Sequence, residues 1–194
     1  VSESTGGGTR SRIQAVALEL FTEQGYEKTS LREIAERLGV TKAALYYHFK
    51  SKDEIVNSFV EDRAAALDSL ITWAEAQPAD QANRRAIIAR YADQFFSNEQ
   101  PSAMRFFERN QTAVKSLPAG QHLRDRMIQL ADALARGDDS PRGRVRAALA
   151  LFAVHSSWFA VRTPDISDEE RKQIALEVAY ELLDRVGAGA TVET

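Results

Sequence analysis

The chain has 194 residues, 44% hydrophobic and 27% charged, with no cysteine and a net charge of −3. That is ordinary globular composition, long enough to bury a core without covalent staples. The missing cysteine excludes disulfides, a thiol nucleophile and a Cys-ligated metal, and fits a reducing cytoplasm.

The opening VSESTGGGT has no apolar run of the kind a signal peptide carries, and residues 1–8 are expected to be a disordered tail. No stretch of about 18 apolar residues is available to cross a membrane. The acidic balance taken alone argues against nucleic acid, but the charge is uneven. Residues 1–52 hold eight Lys and Arg against six Asp and Glu, a balance of +2, and the remainder carries −5.

Helical periodicity runs through almost the whole chain and strand alternation through almost none of it, so the fold class is all-α with about nine helices. Ile13, Val16, Ala17, Leu20 and Phe21 form one apolar stripe. Ser11 with Gln14 reads as its capping box and Gly25 as its stop. Ser30 with Glu33 caps a second helix carrying Leu31, Ile34, Ala35 and Leu38, which Gly39 ends. Thr41 is an N-cap for a third, short helix. Ser51 with Glu54 opens a long fourth one carrying Ile55, Val56, Phe59, Val60, Leu67, Leu70 and Ile71.

After Pro78, helices are expected over about 81–97, 101–116 and 118–136. The loop RGDDSPRG then supplies Ser140 and Pro141 as cap and first residue of a helix to about Arg162, ended by Thr163-Pro164. Ser167 with Glu170 caps a last helix to about Val186, and residues 188–194 form a flexible tail.

Residues 30–49 carry the functional signal. Two short helices joined by Gly39-Val40-Thr41 have helix-turn-helix spacing, and the turn calls for glycine because the chain must take a positive φ there. On a wheel of about 100° per residue, Leu45 and Phe49 share one face with Thr41 and His48 beside it. Ala43, Tyr47 and Lys50 lie opposite, and Tyr46 sits between. Small Ala43 would let the backbone approach base edges. Tyr hydroxyls, Lys ammoniums and helix-start amides suit phosphate oxygens. By this reading Thr41, Lys42, Ala43, Tyr47 and His48 are the base readers. The plainer alternative is a three-helix packing unit with amphipathic tyrosines at its rim.

The stretch TSLREIAERLGVTKAALYYHFKSKDEIV (29–56), preceded by ALELFTEQGYEKTS (17–30), resembles the DNA-binding signature of the TetR family of transcriptional regulators. Ile34-Ala35, Gly39-Val40, Leu45-Tyr46, His48-Phe49 and Lys52 fall where that pattern has them. Ala43 departs from it, since many members have Gly or Pro there. The resemblance implies an all-α homodimer that binds double-stranded DNA, with a C-terminal domain for ligand and dimerisation. Thr41, Lys42, Ala43, Tyr46, Tyr47 and His48 match the family's recognition helix. Lys52 matches a basic residue near phosphate, and Thr29 and Ser30 match a backbone-contacting helix start. The DNA-binding domain is placed at 9–52 and the ligand-binding and dimerisation domain at 53–187.

Outside the signature the residues are read without that help. Residues 144–162 are apolar nearly all round, with Arg146, Ala150, Ala153 and Ser157 as a small-residue stripe. The last helix carries Ile174, Val178 and Leu182, with Ala175 and Ala179 beside them. A two-fold four-helix interface built on Ala150, Ala153, Ser157, Ala175, Val178, Ala179 and Leu182 is expected. The alternative is a large monomeric core. An apolar or aromatic effector is expected among Tyr91, Phe95, Phe96, Met104, Phe106, Phe107, Met127, Phe152, His155 and Trp158, with Arg109, Asn110, His122, His155 and Ser156 as polar anchors. Aromatic residues at helical spacing are, by the simpler account, core.

No phosphate loop, H-E-x-x-H or G-x-S-x-G is present, so neither an enzyme nor a resident cofactor or metal is expected. The favoured function is a repressor that binds a palindromic operator as a dimer and is released by its effector. An activator of the same family and an all-α protein-binding adaptor are the alternatives.

Overall fold

The computed structural model describes residues 5–97, 118–160 and 166–187. Among these residues there are eight helices and no strand: α1 (Thr5–Glu23), α2 (Leu31–Leu38), α3 (Lys42–His48), α4 (Lys52–Glu75), α5 (Gln81–Phe95), α6 (Pro118–Ala135), α7 (Pro141–Ala160) and α8 (Asp168–Leu183). The all-α expectation holds. The ninth expected helix, over 101–116, and the Thr163-Pro164 stop lie outside the described residues.

The chain divides into two compact units. One holds α1, α2, α3 and α4 up to Ala64, together with α6 up to Leu123; the other holds the rest of α4, α5, the rest of α6, α7 and α8. In the first, Ile13, Ala17, Leu20 and Phe21 of α1 meet Ile34 and Ala35 of α2, Leu45 of α3 and Phe49. Ile55, Val56 and Val60 complete that cluster, so the first turns of α4 belong to the N-terminal core.

The capping signals have mixed outcomes. Ser30 and Glu33 form the full reciprocal box, Gly39 closes α2 at φ 68°, and Thr41 caps α3. α1, however, starts six residues ahead of Ser11, at Thr5. Once a helix is nucleated, each added residue gains a hydrogen bond, and extension backwards needs no cap at Ser11. Gln14 is therefore no capping partner. It is buried, and its Nε2 donates to Ser58 Oγ (3.0 Å) and Asp62 Oδ2 (2.7 Å) of α4. At α4 the amide of Glu54 donates to Ser51 Oγ (3.0 Å), but the Glu54 carboxylate accepts from the Lys50 amide, one residue further out than expected.

In the second unit, Ser140 caps α7 through the Gly143 amide (3.0 Å) with Pro141 as first residue, and Ser167 with Glu170 forms a full box on α8. Two arginines satisfy helix ends from a distance. Buried Arg84 of α5 donates to Leu134 O (3.1 Å) and Arg136 O (2.7 Å) at the end of α6. Arg136 in turn donates to Ala74 O, Glu75 O and Gln77 O at the end of α4, between 2.6 and 3.1 Å. The last carbonyls of a helix lack intrahelical partners, and these bonds supply them.

α7 packs against α8, and here the expected dimer surface needs correction. Ala150, Ala153, Ser157, Ala175 and Ala179 are all buried within the single chain. The small-residue stripe that includes Arg146 is satisfied inside the chain: the Arg146 guanidinium donates to Arg185 O (2.6 Å). Small side chains permit two helices to approach closely but do not say which helix approaches. Of the seven residues assigned to an interface, Val178 is exposed and Leu182 half-buried. The exposed apolar surface lies elsewhere. Val145, Leu149 and Phe152 run along α7, and Ile174 and Val178 along α8, each 40–57% exposed.

Candidate nucleic-acid interface

α3 is seven residues long and is held from both ends. Leu45 is its one fully buried side chain, and Phe49, also at 0% exposure, anchors the chain just beyond it. Phe49 reaches the core by leaving the helix. It is the C-cap, at φ −143° and ψ 127°, with its amide on Leu45 O. The wheel assumes a helix continuing through this residue. The inward direction is as expected, but an extended backbone produces it. The Arg10 guanidinium of α1 lies 4.7 Å from the Phe49 ring centre and covers its face.

With these anchors buried, the rest of α3 faces water. Thr41, Lys42, Ala43, Tyr46 and Tyr47 are exposed, Tyr47 at 80% and Tyr46 at 36%. Lys42 Nζ sits 5.4 Å from the Tyr46 ring centre, which leaves its ammonium outward beside the phenol. His48 is half-buried, edge-on to Tyr47 at 5.3 Å. Thr41 Oγ1 accepts from the Ala44 amide (3.1 Å) and keeps its own proton to donate. The four consecutive rings thus have separate surroundings, with one in the core, one at the rim and two outward.

Two residues from the signature are placed differently from expectation. Thr29 is 2% exposed, and its hydroxyl bonds inward to Gly25 O (2.9 Å) and Leu20 O (3.3 Å). Its side chain closes the turn between α1 and α2 and does not join the exposed face. Lys52 is half-buried, with Nζ donating to Tyr26 O (2.6 Å) and Glu27 O (3.3 Å). Ser30 is exposed, but its hydroxyl and amide are engaged with Glu33. Those bonds hold the Glu33 carboxyl below the ordinary glutamate range.

Sequence reasoning leaves two residues out of the site. Arg10 falls outside a first helix expected to begin at Ser11, yet it stands exposed against Phe49. Lys50 is placed by the wheel on the outward face only; its Nζ donates to Tyr46 O (2.5 Å) at the end of α3. The lysine itself is visible in the sequence, but its acceptor is not.

The second unit gathers part of the expected effector set. Tyr91 and Phe95 of α5 are buried, and the His155 ring stacks on both, 5.7 and 4.8 Å between centres. The Tyr91 hydroxyl is hydrogen-bonded to His155 Nε2 and also reaches Met127 Sδ at 3.6 Å. Phe96 stacks on Trp158 at 6.0 Å, with the Arg171 guanidinium 5.2 Å from the Trp158 ring. Phe152 of α7 is exposed, and His122 is exposed as well. Ser156 is bonded to Ala153 O (3.0 Å). Met104, Phe106, Phe107, Arg109 and Asn110 lie outside the described residues. Among the described residues no cluster of three or more metal-ligating side chains occurs, and no helix is long and apolar enough to cross a membrane.

A helix-turn-helix with one buried anchor within its second helix, another just beyond it and a polar, aromatic outer face defines a DNA-binding protein of the all-helical type. The known proteins agree. Residues 13–59 match the family of bacterial regulatory proteins, tetR family. The HTH-type transcriptional regulator AcrR of Shigella flexneri is 49% identical over 53 residues, 27% of this chain and only about a quarter of the length of that relative. Over nearly the whole chain, the TetR family transcriptional regulator PfmR of Thermus thermophilus is 30% identical, covering 94% of this chain and 100% of that one with a TM-score of 0.62. A tetR-family regulatory protein of Rhodococcus RHA1 shares the fold at 22% identity, 92% and 96% coverage and a TM-score of 0.69. The chain belongs to the TetR family of transcriptional regulators.

Proposed function

We propose that the protein is a cytoplasmic, ligand-responsive repressor that binds a palindromic operator as a homodimer and is released by an apolar or aromatic small molecule. The observation that carries the DNA-binding part is the outer face of α3, where Thr41, Lys42, Ala43, Tyr46 and Tyr47 are exposed while Leu45 and Phe49 are buried. A face of phenols, an ammonium and one methyl matches phosphate oxygens and base edges in a groove.

Dimerisation is supported by the stripe of Val145, Leu149 and Phe152 on α7 with Ile174 and Val178 on α8. Exposed large apolar side chains at helical spacing are what an association surface would present. Two copies would double every phosphate contact and read half-sites about 34 Å apart or a multiple of it, which offsets the modest charge of a single N-terminal unit.

The effector part is supported by the stacked group of Tyr91, Phe95 and His155 with Met127 beside it. Among the described residues the buried Trp158 Nε1 has no hydrogen-bond partner, and it is a donor that an oxygen of such a molecule would satisfy. The effector acts by its differential affinity: it binds better to a state in which the two recognition helices are mis-spaced for the operator.

The test is a selection of genomic fragments by the full chain, followed by titration of small aromatic molecules into the recovered complex. Recovery of a palindromic duplex whose binding falls on addition of an effector is the expected result. A selection that retains no duplex sequence would remove the reading.

A further inference from the structure

Lys52 is the residue whose expected role and observed surroundings disagree most. As a phosphate contact it should present an ammonium to solvent. Instead Nζ donates to the carbonyls of Tyr26 and Glu27 and lies 4.6 Å from the centre of the Tyr26 ring, above its face. Two of its three N–H donors and one side of the charge are therefore engaged.

The neighbouring residue completes a clamp. The Tyr26 hydroxyl donates to Asp53 Oδ1, so consecutive residues at the start of α4 hold the backbone and the side chain of one tyrosine. Burial, then the bond and charge of Asp53, push the Tyr26 phenol well above its ordinary range, so it keeps its proton and remains a donor. On the other side Tyr26 packs edge-on against Phe21, 5.0 Å between ring centres. The local charge is also balanced: Asp53 lies next in the chain, and the Glu33 carboxylate feels Lys52 as an attractive charge.

What the clamp holds is the turn that leads into α2. Gly25 has φ 93°, and its carbonyl accepts from both the amide (3.2 Å) and the hydroxyl (2.9 Å) of Thr29. Ser30, the N-cap of α2, follows directly. The chain from Tyr26 to Ser30 has little freedom once its first residue is pinned to α4.

We propose that Lys52 serves DNA binding as a positioning residue, which fixes the α1–α2 turn and the start of α2 through Tyr26, and that it does not act as a phosphate cation. The proposal rests on the DNA-binding reading above and assigns a different task to one of its residues.

The two roles differ in salt dependence. A cation on a phosphate releases counterions, and its loss flattens the plot of log affinity against log salt by about 0.9 per contact. A positioning residue changes affinity and leaves that slope alone. The experiment compares wild type, Lys52→Met, Tyr26→Leu and the double variant on a duplex selected by the wild-type chain. Melting curves first establish a temperature at which all four are folded.

The expected result is that each single variant binds roughly tenfold more weakly or worse, the scale of one charge-assisted hydrogen bond, with an unchanged salt slope. The double variant should lose little beyond either single one, because the two residues act as a unit. A slope reduced in Lys52→Met but not in Tyr26→Leu, or additive losses, would overturn the proposal. So would wild-type affinity in either single variant.

Hydrogen exchange on the free protein gives a second arm that needs no DNA. Lys52→Met should raise exchange at the Thr29 amide, and unchanged exchange there would also overturn the clamp. If no duplex is selected at all, the functional reading fails while this second arm still reports on Lys52.

Discussion

The helix ends of the chain are satisfied in two ways. Around α2 and α3 the caps are local: Ser30 with Glu33, Gly39 and Thr41 each act within three or four residues. At the ends of α4 and α6 they are remote, because Arg136 and Arg84 reach carbonyls about 50 to 60 residues away in sequence. The outer surfaces differ in the same spirit. The N-terminal face of α3 exposes phenols and an ammonium, groups content in water until a polyanion replaces it. The C-terminal pair exposes Val145, Leu149, Phe152, Ile174 and Val178, which are not. A surface of the first kind waits for a charged, hydrated partner and tolerates its absence. A surface of the second kind calls for another apolar surface to cover it.

That contrast can be broken by substitution. Phe49→Ala should give the largest effect, about 3–5 kcal/mol for loss of a fully buried phenyl ring, seen as early melting of the N-terminal unit and loss of duplex binding together. Arg84→Met comes next. It leaves one buried and one half-buried carbonyl without their charged donor, at roughly 2–3 kcal/mol, and denaturant unfolding should record it without any change in the salt slope of DNA binding.

Leu149→Glu should leave each chain's secondary structure intact by circular dichroism and shift sedimentation towards the monomer. A variant that sediments as wild type would move the association surface elsewhere. Tyr47→Phe should change stability by less than about 0.5 kcal/mol, as surface substitutions do, and still weaken binding to the selected duplex. Equal damage to folding would show that the outward face of α3 had been misassigned.

The smallest effect is on pH dependence. Glu33 in the folded state has a carboxyl pKa lowered first by its hydrogen bond to the Ser30 side chain. A lowered folded value means that the bonds to the Glu33 carboxylate contribute fully above the unfolded glutamate value, about 4.3, and that this part is lost as pH falls through the folded one. Ser30→Ala should therefore lower the urea midpoint at neutral pH, and the difference from wild type should narrow under acid conditions to what the loss of the cap on the Glu33 amide leaves.

The division between what was legible and what was not follows range. The all-α class was readable from helical period along the chain, and the helix-turn-helix and the separate surroundings of Tyr47 and Phe49 from residues 30–49, because capping and helical period are short-range effects. Even in the N-terminal unit the start of α1, the route by which Phe49 enters the core and the burial of Thr29 were not. They depend on how helices distant in sequence meet.

In the C-terminal half the pattern of small and large residues was seen, but five of the seven residues expected at an interface are buried inside the chain. Ala150, Ala153, Ser157, Ala175 and Ala179 are buried where α7 and α8 pack within one chain, and Val145, Leu149, Phe152, Ile174 and Val178 are exposed. The sequence alone determined that two helices would approach closely, since only small side chains permit it. Which helix would do so is a matter of tertiary placement, as is the capture of the Lys52 ammonium by the carbonyls of Tyr26 and Glu27. A side chain's charge and size are written in its letter; the acceptor it finds depends on where a segment about 25 residues away has folded.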